Sequence, residues 1–116
     1  MNSYNNEYQK MTKEIFKDND LYNDKIVLNN FSNIGFIDSS FSNDLVPSFI
    51  LELRKENYIQ IFLANSTINN YDEELFNTSN VYINNEILEE LPIFESKDIW
   101  IIWSFIKSNL DYFKTL

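Results

Sequence analysis

The stretch SFILELR at 48–54, followed by KEN at 55–57 and YIQIFLA at 58–64, restricts the fold of this chain more than any other. Phe49, Leu51 and Leu53 alternate with Ile50, Glu52 and Arg54, and Ile59, Ile61 and Leu63 alternate with Tyr58, Gln60 and Phe62. Successive side chains of a strand point to opposite faces, so a period of two on each side of a short turn predicts an antiparallel hairpin. Both faces carry apolar groups. Strands of that kind sit centrally in a sheet, covered on both sides, or covered on one side with a bulky apolar fringe on the other.

Cover can come from both ends of the chain. Tyr8, Met11 and Ile15 recur at helical spacing, with Tyr4 before and Phe16 beside them, while Glu7, Lys10, Lys13, Glu14 and Lys17 fill the other side. At the far end Ile99, Ile102, Trp103, Ile106, Leu110 and Phe113 form an apolar stripe reinforced by Trp100 and Phe105. Ser96 is placed to cap that helix, with Asp98 in its first turn and Lys107 and Lys114 toward its end, matching the helix dipole at both poles. A strand through DIWIIW is the alternative, because a short apolar run leaves the period open. Between the hairpin and the termini, KIVL at 25–28 reads as a strand, as does NIGFID from 33, where Gly35, the only glycine, reads as a bulge or a close backbone approach. NVYIN at 80–84 has strand character, Asn70 and Asn85 stand where short helices would start, and Pro92 stops the second of these. The expected fold is α+β: one domain spanning 1–116, an antiparallel sheet of about four to five strands with N-terminal and C-terminal helices packed on it.

Missing residue types exclude most chemistry. The chain has no histidine, no cysteine and one glycine among 116 residues. The commonest general base, thiol nucleophiles, soft metal ligands and glycine-rich phosphate loops are therefore unavailable. DNDLYNDKIVLN offers Asp18, Asp20 and Asp24 at the spacing of a calcium loop, yet Tyr22, Asn23 and Asn29 occupy the positions that such a loop needs for other ligands, for glycine and for a closing glutamate. Eighteen acids supply many carboxylates, but no spacing singles out a hydrolytic pair. The expectation is a non-enzymatic protein with no cofactor and no metal. Eighteen asparagines, dispersed among apolar residues, match AT-rich coding better than a low-complexity role. The longest apolar run, IWIIW, is far shorter than the roughly 20 residues that span a bilayer, and the polar start lacks the layout of a secretory signal. The cytoplasm, no membrane and a monomer when free are the corresponding expectations.

Charge is where the sequence becomes specific. Net charge is -9, of which residues 1–60 carry -3 and residues 61–116 carry -6. Within 69–98, Asp72, Glu73, Glu74, Glu86, Glu89, Glu90, Glu95 and Asp98 face Lys97 alone. Acids at helix starts complement helix dipoles, and a surplus of them keeps a Phe-rich chain in solution. Repulsion among eight clustered acids nevertheless costs stability that interspersed lysines would have avoided. Tyr71 and Tyr82 flank the acids and belong to a residue type enriched at binding hot spots. These ten residues are the candidate partner-binding set, and the partner they fit is a basic protein, not nucleic acid or an anionic membrane.

A small, acidic, cysteine-free, Asn-rich chain carrying segments such as NNYDEEL and NNEILEEL resembles the immunity proteins of bacterial contact-dependent and other polymorphic toxin systems. The resemblance is one of size, charge and texture. It implies an inhibitor that covers the basic cleft of a cognate toxin domain, commonly a nuclease, with carboxylates standing where substrate phosphates would lie. Two other readings stay open: a nucleic-acid mimic of the anti-restriction or anti-CRISPR kind, and a structural or adaptor domain whose acidity serves solubility alone.

Overall fold

The computed structural model describes residues 16–17, 19–40, 46–64, 77–84 and 92–116. In chain order these form α1 (Lys25–Ile34), β1 (Ile37–Asp38), β2 (Ser48–Glu52), a 3-10 turn (Arg54–Glu56), β3 (Tyr58–Phe62), β4 (Ser79–Ile83), β5 (Phe94–Ser96), α2 (Ile99–Ser108) and α3 (Leu110–Phe113). The strands make a five-stranded sheet in the order β1-β2-β3-β4-β5, each neighbouring pair antiparallel. The expected α+β arrangement, an antiparallel sheet with helices packed on it, is the one formed. The amphipathic segment before residue 16, the short helix expected at 70–76 and the one expected after Asn85 lie outside the described residues.

The hairpin forms where its alternation places it. Ser48 pairs with Phe62, Ile50 with Gln60 and Glu52 with Tyr58, and the Leu53 N–H donates to the Asn57 carbonyl at 2.7 Å to close the turn. One face of the sheet is the core. Phe49, Ile61, Val81 and Phe94 run across it in one row, and Leu51, Ile59 and Ile83 in the next. Ile59, Ile61 and Val81 are fully buried among Val27 and Phe31 of α1 and Ile102 and Ile106 of α2. α2 lies against β4 and β5, and α1 lies against α2. Phe105 of α2 stacks on Phe94 of β5 with ring centroids 4.2 Å apart.

Two expectations are corrected at the N-terminal side. KIVL is not a strand; it opens α1. Val27 and Phe31 stand four apart and both are buried, with Ile34 partly so, which is helical spacing that a four-residue window cannot reveal. Asp24 fixes the start, its carboxylate accepting from the N–H groups of Ile26 and Val27. Gly35 fixes the end and is not a strand bulge. It sits at φ 121° while its N–H donates to Ser32 and the Phe36 N–H donates to Phe31, the double closure that terminates a helix with a glycine outside it. Strand β1 is thereby confined to Ile37–Asp38.

At the C-terminal side the helical period holds over IWIIW, and Asp98, not Ser96, is the cap: its carboxylate accepts from the Trp100 N–H at 2.8 Å, while the Ser96 hydroxyl accepts from the Asp98 N–H. Trp100 leaves the core stripe. At about 100° per residue it lies nearly opposite Ile102, and it is 41% exposed. β5 leaves no pattern in the sequence: it is three residues long with a glutamate at its centre, too short to show a period.

Asparagines carry part of the local architecture. Asn19 is buried, accepting from the Tyr22 N–H and donating to the Ala64 carbonyl, which ties the segment before α1 to the end of β3. Asn84 takes a positive φ of 57°, a conformation that asparagine tolerates better than most residues, and its side chain accepts from the Tyr58 N–H and donates to Asn57.

Candidate partner-binding face

The side of the sheet away from α1 and α2 follows from strand register. Ile37, Ile50, Gln60 and Tyr82 occupy one row across it; Ser48, Phe62, Asn80 and Glu95 occupy a second; Glu52 and Tyr58 occupy a third. None of the aliphatic or aromatic members belongs to the core cluster. Ile50, Phe62 and Tyr82 are half-buried, and Ile37 at one edge is 55% exposed. Ile93, just before β5 at the opposite edge, is 42% exposed. The hairpin's apolar fringe is thus exposed at the edges of this face, while Gln60 and Ser48 within it are buried.

Of the ten sequence-predicted site residues, Tyr82, Glu95 and Asp98 are described; Tyr71, Asp72, Glu73, Glu74, Glu86, Glu89 and Glu90 lie outside the described residues. Tyr82 and Glu95 come together on this face, on the paired strands β4 and β5. The Tyr82 ring meets Phe62 edge to face with centroids 5.7 Å apart, which fixes its orientation. Burial of the phenol, with a smaller contribution from the charge of Glu95, raises the Tyr82 pKa, so its hydroxyl is a neutral donor at physiological pH. Glu95 is exposed and has no cationic partner among the described residues. Asp98 is differently employed. Its carboxylate is spent on the first turn of α2, the ordinary work of an N-cap.

A depression of about 390 Å³ opens at the hairpin end of the same face, lined by Ile50, Glu52, Leu53, Glu56, Asn57 and Tyr58. Sequence reasoning did not single it out. Its signal was the pair Glu52 and Tyr58 facing each other across the hairpin, with Glu56 in the turn.

One further polar cluster sits at the β1 edge. The Tyr22 hydroxyl donates to Asp38 at 2.6 Å, the Ser40 N–H donates to the same carboxylate, the Ser48 N–H donates to the Ser40 hydroxyl, and Ser39 and Gln60 reach the Ser48 hydroxyl. Burial and then the hydrogen bond to Asp38 push the Tyr22 pKa strongly upward. With every member partnered, the cluster fastens the short edge strand to β2. Among the described residues no three acidic side chains converge as a metal site, and no helix is long and apolar enough to cross a membrane. No protein family model matches the chain, and neither does any curated protein or solved structure.

Proposed function

We propose that this chain is a protein inhibitor of the immunity type, which presents the outer face of its sheet to a basic partner, a nuclease-like toxin domain, and blocks that partner's cleft. The observation that carries the reading is the placement of Tyr82, held by Phe62, on the same face of the paired strands β4 and β5 as Glu95, whose exposed carboxylate has no cationic partner among the described residues. An aromatic anchor beside a carboxylate is what a cationic surface recognises: the ring excludes water and the carboxylate meets Lys or Arg. A net charge of -9 steers such a partner, raising association rates by roughly 10- to 1,000-fold at low salt. Standard interfaces take about 800 Å² from each protein, about one-tenth of the 7936 Å² of this chain.

Affinity capture from the source cells, followed by titration of the captured protein's own activity, tests the reading. A basic partner whose activity falls to zero at a one-to-one ratio supports it. A partner without a basic surface, or one whose activity persists at saturation, removes it.

A further inference from the structure

We infer that the depression at the β2–β3 turn is a socket for a single arginine side chain of the partner. This rests on the basic-partner reading above and adds to it the site and the residue recognised. Its lining combines apolar Ile50 and Leu53 for the aliphatic stem, the aromatic residue Tyr58, and two acidic residues, Glu52 and Glu56, both exposed. The volume of about 390 Å³ lies at the low end of the range for ligand pockets, suiting one long side chain.

The walls are set before any ligand arrives. The Tyr58 hydroxyl donates to the Asn84 carbonyl at 3.1 Å, and the Asn57 side chain accepts from Asn84 at 2.9 Å, so both are tied to the end of β4. The carboxylates are not tied: neither has a hydrogen-bond or ion-pair partner among the described residues. Arg54 belongs to the same turn but not to the lining. A guanidinium fits this set better than an ammonium, because it is planar, more weakly hydrated, stacks on aromatic rings and offers a fork of donors to carboxylates. Glu52 and Tyr58 lie on the same sheet face as Tyr82 and Glu95, so one partner can occupy both.

The test is a titration of the 15N-labelled protein with the capped tripeptide Gly-Arg-Gly at low salt, with Gly-citrulline-Gly as the uncharged match. Saturable shifts confined to the amides of residues 50–58, at least tenfold weaker with citrulline and lost in the Glu52→Gln, Glu56→Asn double variant, are expected. Asparagine is chosen at position 56 because Glu56 has a φ of 67°, which asparagine accepts, so the variant keeps the turn. Equal shifts with citrulline, shifts scattered over other carboxylates, or none at all would overturn the socket. If the peptide fails while a captured basic partner is still inhibited, the socket is wrong and the inhibitor reading stands; arginine binding without any basic partner has the opposite meaning.

Discussion

Replacing Gly35 with alanine probes the junction that turns α1 into the sheet. At φ 121° an L-residue is strained, and such conformations cost about 1–3 kcal/mol for a side-chain-bearing residue. A Cβ there would also stand 3.1 Å from Cδ1 of Leu51, close enough to displace that methyl by a few tenths of an ångström. Against this, alanine lowers the entropy of the unfolded chain and returns about 0.4–1 kcal/mol. The net expectation is a loss of about 1–2 kcal/mol. With a urea m-value of about 2 kcal/mol/M, that lowers the unfolding midpoint by about 0.5–1 M at unchanged m. Repeating the substitution in a Leu51→Ala background separates the two causes, since the contact disappears there and the backbone strain does not. A midpoint that is unchanged or higher for Gly35→Ala would refute the assigned helix termination, and with it the confinement of β1 to Ile37–Asp38.

Other outcomes follow from particular contacts. Tyr22→Phe removes the hydroxyl bonded to Asp38 and should cost about 1–2 kcal/mol at pH 7. Because the folded-state pKa of Tyr22 is raised, its contribution is intact below the unfolded value of about 10 and lost as pH rises beyond it; wild-type stability should therefore fall above pH 10, and the Phe variant should fall less steeply in alkaline urea titrations. Trp103→Phe should cost less than about 1 kcal/mol despite the smaller ring, because the buried Trp103 indole N–H has no partner among the described residues and its removal relieves a penalty of about 1–3 kcal/mol; a thermal-melt loss well above that would show that the N–H has an acceptor. Asp98→Ala should lower stability by about 1 kcal/mol while Asp98→Asn should not, as expected of a helix cap and not of a charge reserved for a partner.

What the sequence disclosed depended on how long each pattern ran. The hairpin was legible because two strands of alternating residues flank one turn, and β4 was legible from the β-branched and aromatic residues of NVYI. α1 is hidden in the sequence because Ile26 and Val27 favour strand when taken alone, and only Phe31 and Ile34 reveal the helical period. Trp100 was assigned to the core by its chemistry, where its angular position puts it outside. The meeting of Tyr82 with Glu95 could not be read, since it depends on β5 pairing with β4 across the intervening residues. Asp98 resembled the other acids in sequence and differs only in being used by an amide of its own helix.

The association rate of the captured basic partner with the Glu95→Lys variant, measured by stopped flow across a salt series, bears most directly on the central claim. Reversal of the open carboxylate beside Tyr82 is expected to slow association roughly 3- to 10-fold at low salt and to flatten its salt dependence, while Asp98→Asn leaves both nearly unchanged. Equal rates and equal salt slopes for wild type and Glu95→Lys would contradict the assignment of this sheet face to partner binding.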